Sequence, residues 1–295
     1  MFKKNSNKKT KKFAFSLIEL SIVILVIGIL MVGVNQGYNL VRSAQISNAR
    51  SITAKSPILQ MSGLLGWYET SLKESLDQSK LKDGDFITTW NDISPSSILN
   101  GYNQLTTTAS NNIVYSQSSI NKIPALKFSG SSKLSIASFS QGASSQATVF
   151  LVIKLNYVPN ISNYKTIFDG SSSSADFSFS IKSNGVQLNT GTAVETAYAG
   201  GFSNSGEYVI AIYFNGSNSK VFINSTNSMI ASSDIVSSTA NQLAGMTLGN
   251  NRSGTNGFSG YISEVAVFNR VIKVAERKEI FNYFSKKYKI DITGV

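Results

Sequence analysis

The residue types that carry most hydrolytic and metal chemistry are missing: the 295 residues include no Cys and no His. The chain therefore has no thiolate nucleophile, no imidazole base, no Ser-His-Asp triad, no disulfide and no Cys- or His-bound zinc. Glycoside hydrolysis needs two carboxylates about 5–9 Å apart, yet the predicted strands contain no Glu-x-Asp or Asp-x-Glu pattern. The nearest pair, Asp83 and Asp85, lies in a Gly-containing loop. We expect no enzymatic activity.

An unusual carboxylate lies inside an apolar run near the N-terminus. Residues 15–34 read FSLIELSIVILVIGILMVGV, and Glu19 is their only charged side chain. As an α-helix this segment is about 30 Å long, which matches the hydrocarbon core of a bilayer. A carboxylate costs about 2.5–3.5 kcal/mol at the centre of a membrane span and less near its edge. Glu19 is therefore a candidate functional residue in a predicted transmembrane helix.

The positive charge of the chain is concentrated in the leader before that run. Residues 1–14 hold six of the 27 basic residues and no acidic residue, and the formal net charge of the chain is +11. Lysines before an apolar span keep the N-terminus in the cytoplasm, so everything after residue 35 is expected beyond the inner (cytoplasmic) membrane, in the periplasm or outside the cell. Elsewhere 21 basic residues nearly balance 16 acidic ones, and no basic face indicates a nucleic-acid partner.

Three simpler explanations compete for the apolar run. A secretory signal peptide needs a small-x-small cleavage site after the run, and residues 34–38, VNQGY, do not form one. A plain membrane anchor explains the length and orientation but leaves Glu19 unexplained. A buried core helix requires neither the lysine cluster nor so uniform an apolar run.

The residues around Glu19 resemble the type IV prepilin signal. Residues 11–20, KKFAFSLIEL, give a basic leader, a small residue and Phe, then a short polar residue, Leu, Ile, Glu and Leu. The resemblance implies that a membrane prepilin peptidase cuts between Ala14 and Phe15 and that the new amine of Phe15 is N-methylated. It also implies that Glu19 attracts the positive N-terminus of a neighbouring subunit, because a paired carboxylate is tolerated at low dielectric. The family nearly always has Gly where this chain has Ala14.

The predicted helix continues past the span as an amphipathic segment. Five apolar residues keep roughly helical spacing and predict a face that packs on a globular head. They are Val34, Tyr38, Val41, Ala44 and Ile52. Pro57 is expected to end or kink the helix. The predicted parts are a basic leader (1–14), a pilin-type helix (15–56, with 15–34 in the membrane), a connector (57–66), a globular body (67–288) and a tail (289–295).

Patterns typical of β-strands replace the helical one in the body. Residues 147–155 and 207–214 are short apolar runs, rich in β-branched and aromatic residues, as buried strands are. Residues 176–182 alternate between polar and apolar, as a half-exposed strand does. Asn184-Gly185 after them predicts a hairpin turn. Because no βαβ rhythm is present, these patterns predict an antiparallel two-sheet sandwich.

The order of several short segments resembles a bacterial laminin-G-like, concanavalin A-like jelly roll. They include GWYET (66–70), WND (90–92), PALKFSG (124–130), LGN (248–250) and FSGYISEVAVFNR (258–270). The expected fold is mainly β: a jelly-roll sandwich on a long N-terminal helix, with a short C-terminal helix that covers a sheet edge. Glu264 is either a buried hydrogen-bond acceptor or a surface residue. The aromatic residues expected in the core are Trp67, Trp90, Phe128, Phe258 and Tyr261.

The same resemblance implies ligands for the body. Laminin-G-like sandwiches sometimes hold Ca²⁺ at the sheet rim, and Asp169 and Asp176, which flank a Ser-rich loop, are the candidate ligands. A glycan or surface protein is the other expected ligand, bound by Asn and Ser side chains of the loops and by exposed Tyr rings. No other cofactor is expected.

These features favour a minor pilin or pseudopilin of a type IV pilus or a type II secretion-type fibre that displays a lectin-like binding head. Its expected partners are the prepilin peptidase/methyltransferase and other pilin or pseudopilin subunits, reached through the N-terminal helix. The alternative is an uncleaved single-span protein that presents a carbohydrate- or protein-binding module and does not polymerise. Ordinary pilin heads are small α+β units with a disulfide, so a larger all-β head without Cys points to a specialised subunit.

Overall fold

The computed structural model describes residues 16–77, 81–95, 97, 103–107, 113–157, 159, 162–170, 177–191, 193–229 and 242–295. The chain divides into two compact units, Met1–Gln45 and Ile46–Val295. Helix α1 (Leu17–Ala54) begins in the first unit and ends in the second. Three residues singled out from the sequence, Ala14, Phe15 and Asp176, lie outside the described residues.

The first half of α1 is apolar on all sides. Its side chains are exposed along the whole run, from Leu17 at 87% to Val34 at 70%. A helix that is apolar all round is stable only where an apolar medium or other helices cover it. Among the described residues, the helical stretch Leu17–Gln60 is long and apolar enough to cross a membrane, and its most apolar window has a mean hydropathy of 2.8. The helix fits a single-pass membrane anchor.

The part of α1 that belongs to the second unit packs through small residues. Val34, Tyr38 and Val41 are at least half exposed, whereas the buried positions of the helix are Ala49 and Thr53. Both buried residues are small, so neighbouring elements approach the helix backbone closely. Val34, Tyr38 and Val41 belong to the first unit, and their packing on the head stays a prediction.

A short 3₁₀ turn, Pro57–Gln60, follows α1. Pro57 begins the turn, where its missing N–H leaves no hydrogen bond unmade. The Ser56 hydroxyl accepts a hydrogen bond from the Ile58 amide at 3.3 Å, and Ile58 is buried. The first strand then begins at Leu64, ahead of the residue at which the body was expected to start.

Fifteen strands lie in the described residues. They are β1 Leu64–Glu69, β2 Thr89–Trp90, β3 Leu105–Thr106, β4 Val114–Ile120, β5 Ile123–Ser129, β6 Leu134–Ile136, β7 Ala147–Leu155, β8 Lys165–Asp169, β9 Phe177–Lys182, β10 Gly185–Thr190, β11 Ala193–Ala197, β12 Glu207–Phe214, β13 Lys220–Ile223, β14 Met246–Leu248 and β15 Ser259–Phe268. Helix α2, Val274–Tyr288, closes the fold.

The strands form two antiparallel sheets, as predicted. Sheet A has the order β13-β12-β7-β15-β5-β4, and β1 pairs with β15 beside this path. Sheet B has eight strands in the order β11-β10-β9-β8-β14-β6-β3-β2. Neighbours in the sheets are often distant in sequence, which is typical of a jelly-roll sandwich.

The sequence of strand β7 in sheet A does not alternate between polar and apolar residues, because both faces of the strand are covered. Leu151 and Ile153 belong to the core between the sheets, while Phe150 and Val152 belong to a second apolar cluster on the outer face. Full burial of such a side chain contributes about 1.5–3 kcal/mol relative to exposure. An unbroken apolar run is what a strand between two cores requires.

Helix α2 covers that outer face. The rings of Phe281 and Phe284 each lie 5.9 Å from the ring of Phe150, centroid to centroid. The helix was predicted to cover a sheet edge, and this placement was wrong. The apolar outer face of sheet A, which includes Phe150 and Phe268, must be removed from water, and α2 supplies the aromatic residues that do so.

The β9–β10 hairpin is present, but its turn comes one residue earlier than predicted. Lys182 pairs with Gly185, so Ser183 and Asn184 form a two-residue loop. A Cβ atom on Gly185 would lie 3.1 Å from the Thr196 carbonyl oxygen on β11. Glycine is needed here for close strand packing, and not for an unusual turn conformation.

Candidate functional site

Glu19 lies at the N-terminus of α1, where its carboxylate closes the first helical turn. Glu19 Oε2 accepts a hydrogen bond from the Ser16 amide at 2.9 Å, and Ser16 Oγ accepts one from the Ile18 amide at 3.3 Å. Ser16 thus caps the helix through the amide of its second residue, while Glu19 at the third position bonds back to Ser16, and the carboxylate places a negative charge at the positive end of the helix dipole. A carboxylate in this position can meet a positive group at the helix start. Ala14 and Phe15, the predicted processing residues, lie outside the described residues.

The body contains a fully buried ionic cluster, which we call the Lys287 cluster: Lys287, Glu69 and Glu264. Lys287 Nζ on α2 lies 2.8 Å from Glu69 Oε2 on β1 and 2.7 Å from Glu264 Oε2 on β15. All three side chains have zero exposure. The three elements are thereby joined at one point inside the second apolar cluster.

Neutral donors complete the hydrogen bonding of both carboxylates. Glu264 accepts from Trp67 Nε1 at 2.7 Å and from the Tyr283 and Tyr288 hydroxyls at 2.8 Å each. Glu69 accepts from the amide and hydroxyl of Ser71 at 2.8 and 2.6 Å. These bonds matter because two carboxylates share a single ammonium, and an uncompensated buried charge is costly.

The pKa shifts of Glu69 and Lys287 favour their ionised forms. Burial alone would raise the pKa of Glu69, but the charge and hydrogen bond of Lys287, with the bonds from Ser71, outweigh it and lower that pKa. Burial would lower the pKa of Lys287, yet Glu264 and Glu69 together raise it. Burial raises the pKa of Tyr283 and Tyr288 well above the ordinary value, so both remain neutral donors.

The Lys287 cluster contains a pair of neighbouring carboxylates that the sequence did not predict. Glu69 and Glu264 are register partners on the neighbouring strands β1 and β15. A residue pattern within one strand, such as Glu-x-Asp, does not reveal a pair of this kind. The sequence left two alternatives for Glu264, a buried hydrogen-bond acceptor or a surface residue. In the structure it is a buried acceptor. Because both carboxylates have zero exposure and hold Lys287, no substrate can reach them. Their arrangement serves packing of α2 and not glycoside hydrolysis.

The Asp83–Asp85 pair shapes a loop. Asp83 Oδ1 accepts a hydrogen bond from the Gln117 amide at 2.8 Å, and Asp85 Oδ2 accepts one from the Lys82 amide at 2.8 Å. Asp83 therefore ties the loop to strand β4, and Asp85 fixes the loop backbone itself, as short acidic side chains commonly do.

Of the two calcium candidates, Asp169 is described, and it supports a neighbouring loop. Its Oδ2 accepts a hydrogen bond from the Arg252 amide at 2.8 Å. Lys133 Nζ donates to the Arg252 carbonyl at 2.6 Å, so this loop is fixed from both sides. No group of three acidic side chains that could hold a metal ion is present in the described part of the chain. Calcium binding stays a prediction, which titration of Ca²⁺ into the full chain would test.

Four of the five aromatic residues expected in the core are buried. Trp67 and Trp90 have exposures of 1% and 0%, and Phe128 and Phe258 are at 0%. Tyr261 differs: it is half-buried and lines a pocket of about 160 Å³ beside Lys154. It lies near the start of β15.

Sheet B carries an open polar pocket that the sequence did not predict. We call it the Tyr164 pocket; it measures about 270 Å³. Lys182 Nζ at the end of β9 is 4.4 Å from the centroid of the Tyr164 ring and 3.4 Å from Glu195 Oε2 on β11. The alternation of β9 does put Lys182 on the face away from the core. Its meeting with Tyr164 and Glu195 depends on strand register, which the sequence does not reveal.

Fold and N-terminal segment together define a class: a lectin-like antiparallel sandwich joined to a pilin-like apolar helix. The family profile that matches residues 128–276, half of the chain, is described as the concanavalin A-like lectin/glucanases superfamily. A second profile, the prokaryotic N-terminal methylation motif, matches residues 9–35. The chain belongs to the concanavalin A-like lectin/glucanase superfamily and carries an N-terminal methylation motif. Both resemblances inferred from the sequence are thus confirmed.

Solved structures with the same fold are distant in sequence. The Trypanosoma rangeli sialidase in complex with sialic acid is 13% identical, with a TM-score of 0.52 over 77% of this chain and 34% of the sialidase chain. The binding domain of botulinum neurotoxin serotype D is 11% identical, with a TM-score of 0.51 over 78% of this chain and 52% of that domain. This chain thus spans about a third and about half of their lengths, and the likeness establishes the fold alone. No curated protein gives a significant match to the chain.

Proposed function

We propose that this protein is a minor pilin or pseudopilin that displays a carbohydrate-binding head. In this proposal a prepilin peptidase in the inner membrane removes residues 1–14, Phe15 becomes the methylated N-terminus, and α1 packs among the helices of other subunits. The body is then presented in the periplasm or outside the cell. The methylation motif and the apolar helix support this sequence of events.

The observation that carries the proposal is the position of Glu19. It is the sole charge in the apolar run of residues 15–34, and its carboxylate already reaches back to the Ser16 amide at the helix start. Cleavage after Ala14 creates a positive amine one residue before Ser16. In an apolar medium the pairing of that amine with a carboxylate of a neighbouring chain is strongly favoured over two unpaired charges.

The test is the mass and N-terminal sequence of the protein purified from its native membrane. We expect a chain that begins at Phe15 and carries one added methyl group on its amine. A finished protein that still contains the lysine-rich leader contradicts the proposal. That result favours the second candidate, an uncleaved single-span protein with a binding module that does not polymerise.

The proposed role of the body is binding without catalysis. The supporting observation is that the carboxylate pair brought together by the fold, Glu69 and Glu264, is sealed beneath α2. Incubation of the full chain with mixed polysaccharides, followed by a reducing-end assay, should detect no release of sugar. Release above the level of a heat-treated sample would contradict this part of the proposal.

A further inference from the structure

The Tyr164 pocket has a size and a shape that suit one small polar ring. Pockets for drug-sized ligands measure about 300–1,000 Å³, and the volume here, about 270 Å³, lies just below that range. Gly185 keeps the space open, because a Cβ atom there would come within 3.2 Å of Lys182 Cε and 3.6 Å of the Tyr164 hydroxyl. Any side chain at this position would enter the pocket from the strand side.

Packing around the pocket holds its wall in place. The Tyr198 amide donates to the Asn184 carbonyl at 2.9 Å, and the Phe202 amide donates to the Ser183 carbonyl at 2.9 Å. The rings of Tyr198 and Phe202 lie 4.9 Å apart, centroid to centroid. The hairpin loop that carries Asn184 is therefore fixed by a neighbouring aromatic pair. Such preorganisation reduces the entropy lost when a ligand binds.

The charges that line the pocket cancel. Lys182 and Glu195 form an ion pair, and Gln187 Nε2 donates to Glu195 Oε1 at 3.3 Å. Tyr164 also bonds to the Glu195 carboxylate, and this hydrogen bond, together with the charge and hydrogen bond of Lys182, lowers the pKa of Glu195. The side chain of Glu195 remains 53% exposed, so its oxygens are accessible to a ligand.

We propose that the Tyr164 pocket binds one uncharged sugar unit of a glycan. A sugar ring has apolar C–H faces that pack on an aromatic ring, and hydroxyls that both donate and accept hydrogen bonds. Lys182 Nζ covers one face of the Tyr164 ring, 4.4 Å from its centroid, so the groups that the pocket offers to a sugar are mainly polar. They are the hydroxyl of Tyr164, the ammonium of Lys182 and the carboxylate of Glu195. Because the two charges cancel, the pocket has no net field that would select an acidic sugar. This inference rests on the carbohydrate-binding role proposed for the head.

The experiment uses the full chain in detergent micelles and an array of immobilised oligosaccharides. One half of the array ends in neutral sugars (glucose, galactose, mannose and N-acetylglucosamine), and the other half ends in sialic or glucuronic acid. Tyr164→Ala should weaken binding to the neutral probes about tenfold. Glu195→Gln leaves Lys182 without its counter-ion, so it should weaken neutral binding and strengthen binding of the acidic probes. Tyr157→Ala, at another exposed tyrosine (49% exposed), is the control and should bind as the parent does.

Several results would overturn the inference. They are the absence of binding to any neutral probe, binding restricted to acidic probes, or binding that Tyr164→Ala leaves unchanged. Circular dichroism must show that both variants are folded, as expected for a half-buried and an exposed position. Incorporation of the same variants into fibres separates this inference from the proposed function. A protein that binds glycans but does not assemble contradicts the pilin role alone, whereas one that assembles but does not bind contradicts the pocket.

Discussion

Glu69 and Glu264 lie directly opposite each other on the antiparallel strands β1 and β15, with no exposure to solvent. Like charges in this position repel each other, and burial increases the cost. The ammonium of Lys287, at 2.8 and 2.7 Å from the two carboxylates, makes the arrangement stable. The seating of α2 on sheet A therefore depends on an ionic contact inside an otherwise apolar cluster.

The first prediction concerns removal of that ammonium. Lys287→Met leaves two facing carboxylates buried without a counter-ion, and loss of one partner of a buried ion pair typically costs about 3–5 kcal/mol. For a domain of this size each kcal/mol lowers Tm by about 2–4 °C. Thermal unfolding followed by circular dichroism should show this loss. Lys286→Met, at the exposed neighbouring lysine, is the matched control and should leave Tm within about 1 °C of the parent. An equal response of the two variants would contradict this role for Lys287.

The second prediction is the pH dependence of stability. The pKa of Glu69 is lowered from 4.5, so its contribution is present above pH 4.5 and is lost as the pH falls through the lower folded-state value. The pKa of Lys287 is raised from 10.5, so its contribution is present below pH 10.5 and is lost as the pH rises through the higher folded-state value. The free energy of unfolding, measured with urea at several pH values, should therefore decline on both sides. In Glu69→Gln the acid decline should be shallower, and parallel curves for parent and variant would rule out this contribution.

The third prediction separates backbone strain from a steric clash at Gly249. This residue has a positive φ of 79°, and a Cβ atom on it would lie 2.1 Å from Cδ1 of Phe128. Gly249→Ala should cost about 1–2 kcal/mol for the left-handed conformation and about 1–3 kcal/mol more for the overpacked core. Gly142 has a similar φ of 84° with nothing within 4 Å, so Gly142→Ala should show the first cost alone. Urea unfolding of both variants measures the difference, and equal losses would show that Phe128 moves aside.

The fourth prediction tests the charge of Glu19 in assembly. Glu19→Gln keeps the size of the side chain and an oxygen acceptor for the Ser16 amide, but removes the charge. If pairing with an amine drives assembly, both Glu19→Gln and Glu19→Ala should insert in the membrane and be absent from fibres sheared off the cells. Immunoblots of the sheared and membrane fractions measure this distribution. Normal incorporation of Glu19→Gln would show that the capping hydrogen bond is sufficient and that the charge is not required.

Local sequence patterns were enough to predict the helices and strands whose structure depends little on contacts with distant segments. A twenty-residue apolar run with a single charge predicts a helix, since in an apolar medium a helix satisfies every backbone group within one segment. The residues that resemble the prepilin signal form one contiguous run. They too could be recognised without knowledge of the tertiary structure. The apolar run of β7 and the alternation of β9 likewise report whether a strand is covered on two faces or on one.

Contacts between distant segments could not be read in this way. The turn at Ser183 and Asn184 is displaced from the predicted one because Gly185 packs against Thr196 of the next strand. The apolar residues of helix α2 show that it packs against the sandwich. They do not show on which surface, so the expectation of a sheet edge could not be checked against the sequence.

The sequence by itself determined an apolar helix with one acidic residue, a leader of basic charge and a body of antiparallel strands, because each of these depends on residues adjacent along the chain. The tertiary structure decided that Glu69, Glu264 and Lys287 neutralise one another and that Tyr164, Lys182 and Glu195 line one pocket. Both groupings come from strand register and helix placement. Register follows from the combined burial of whole strands, so no single segment of the sequence encodes it.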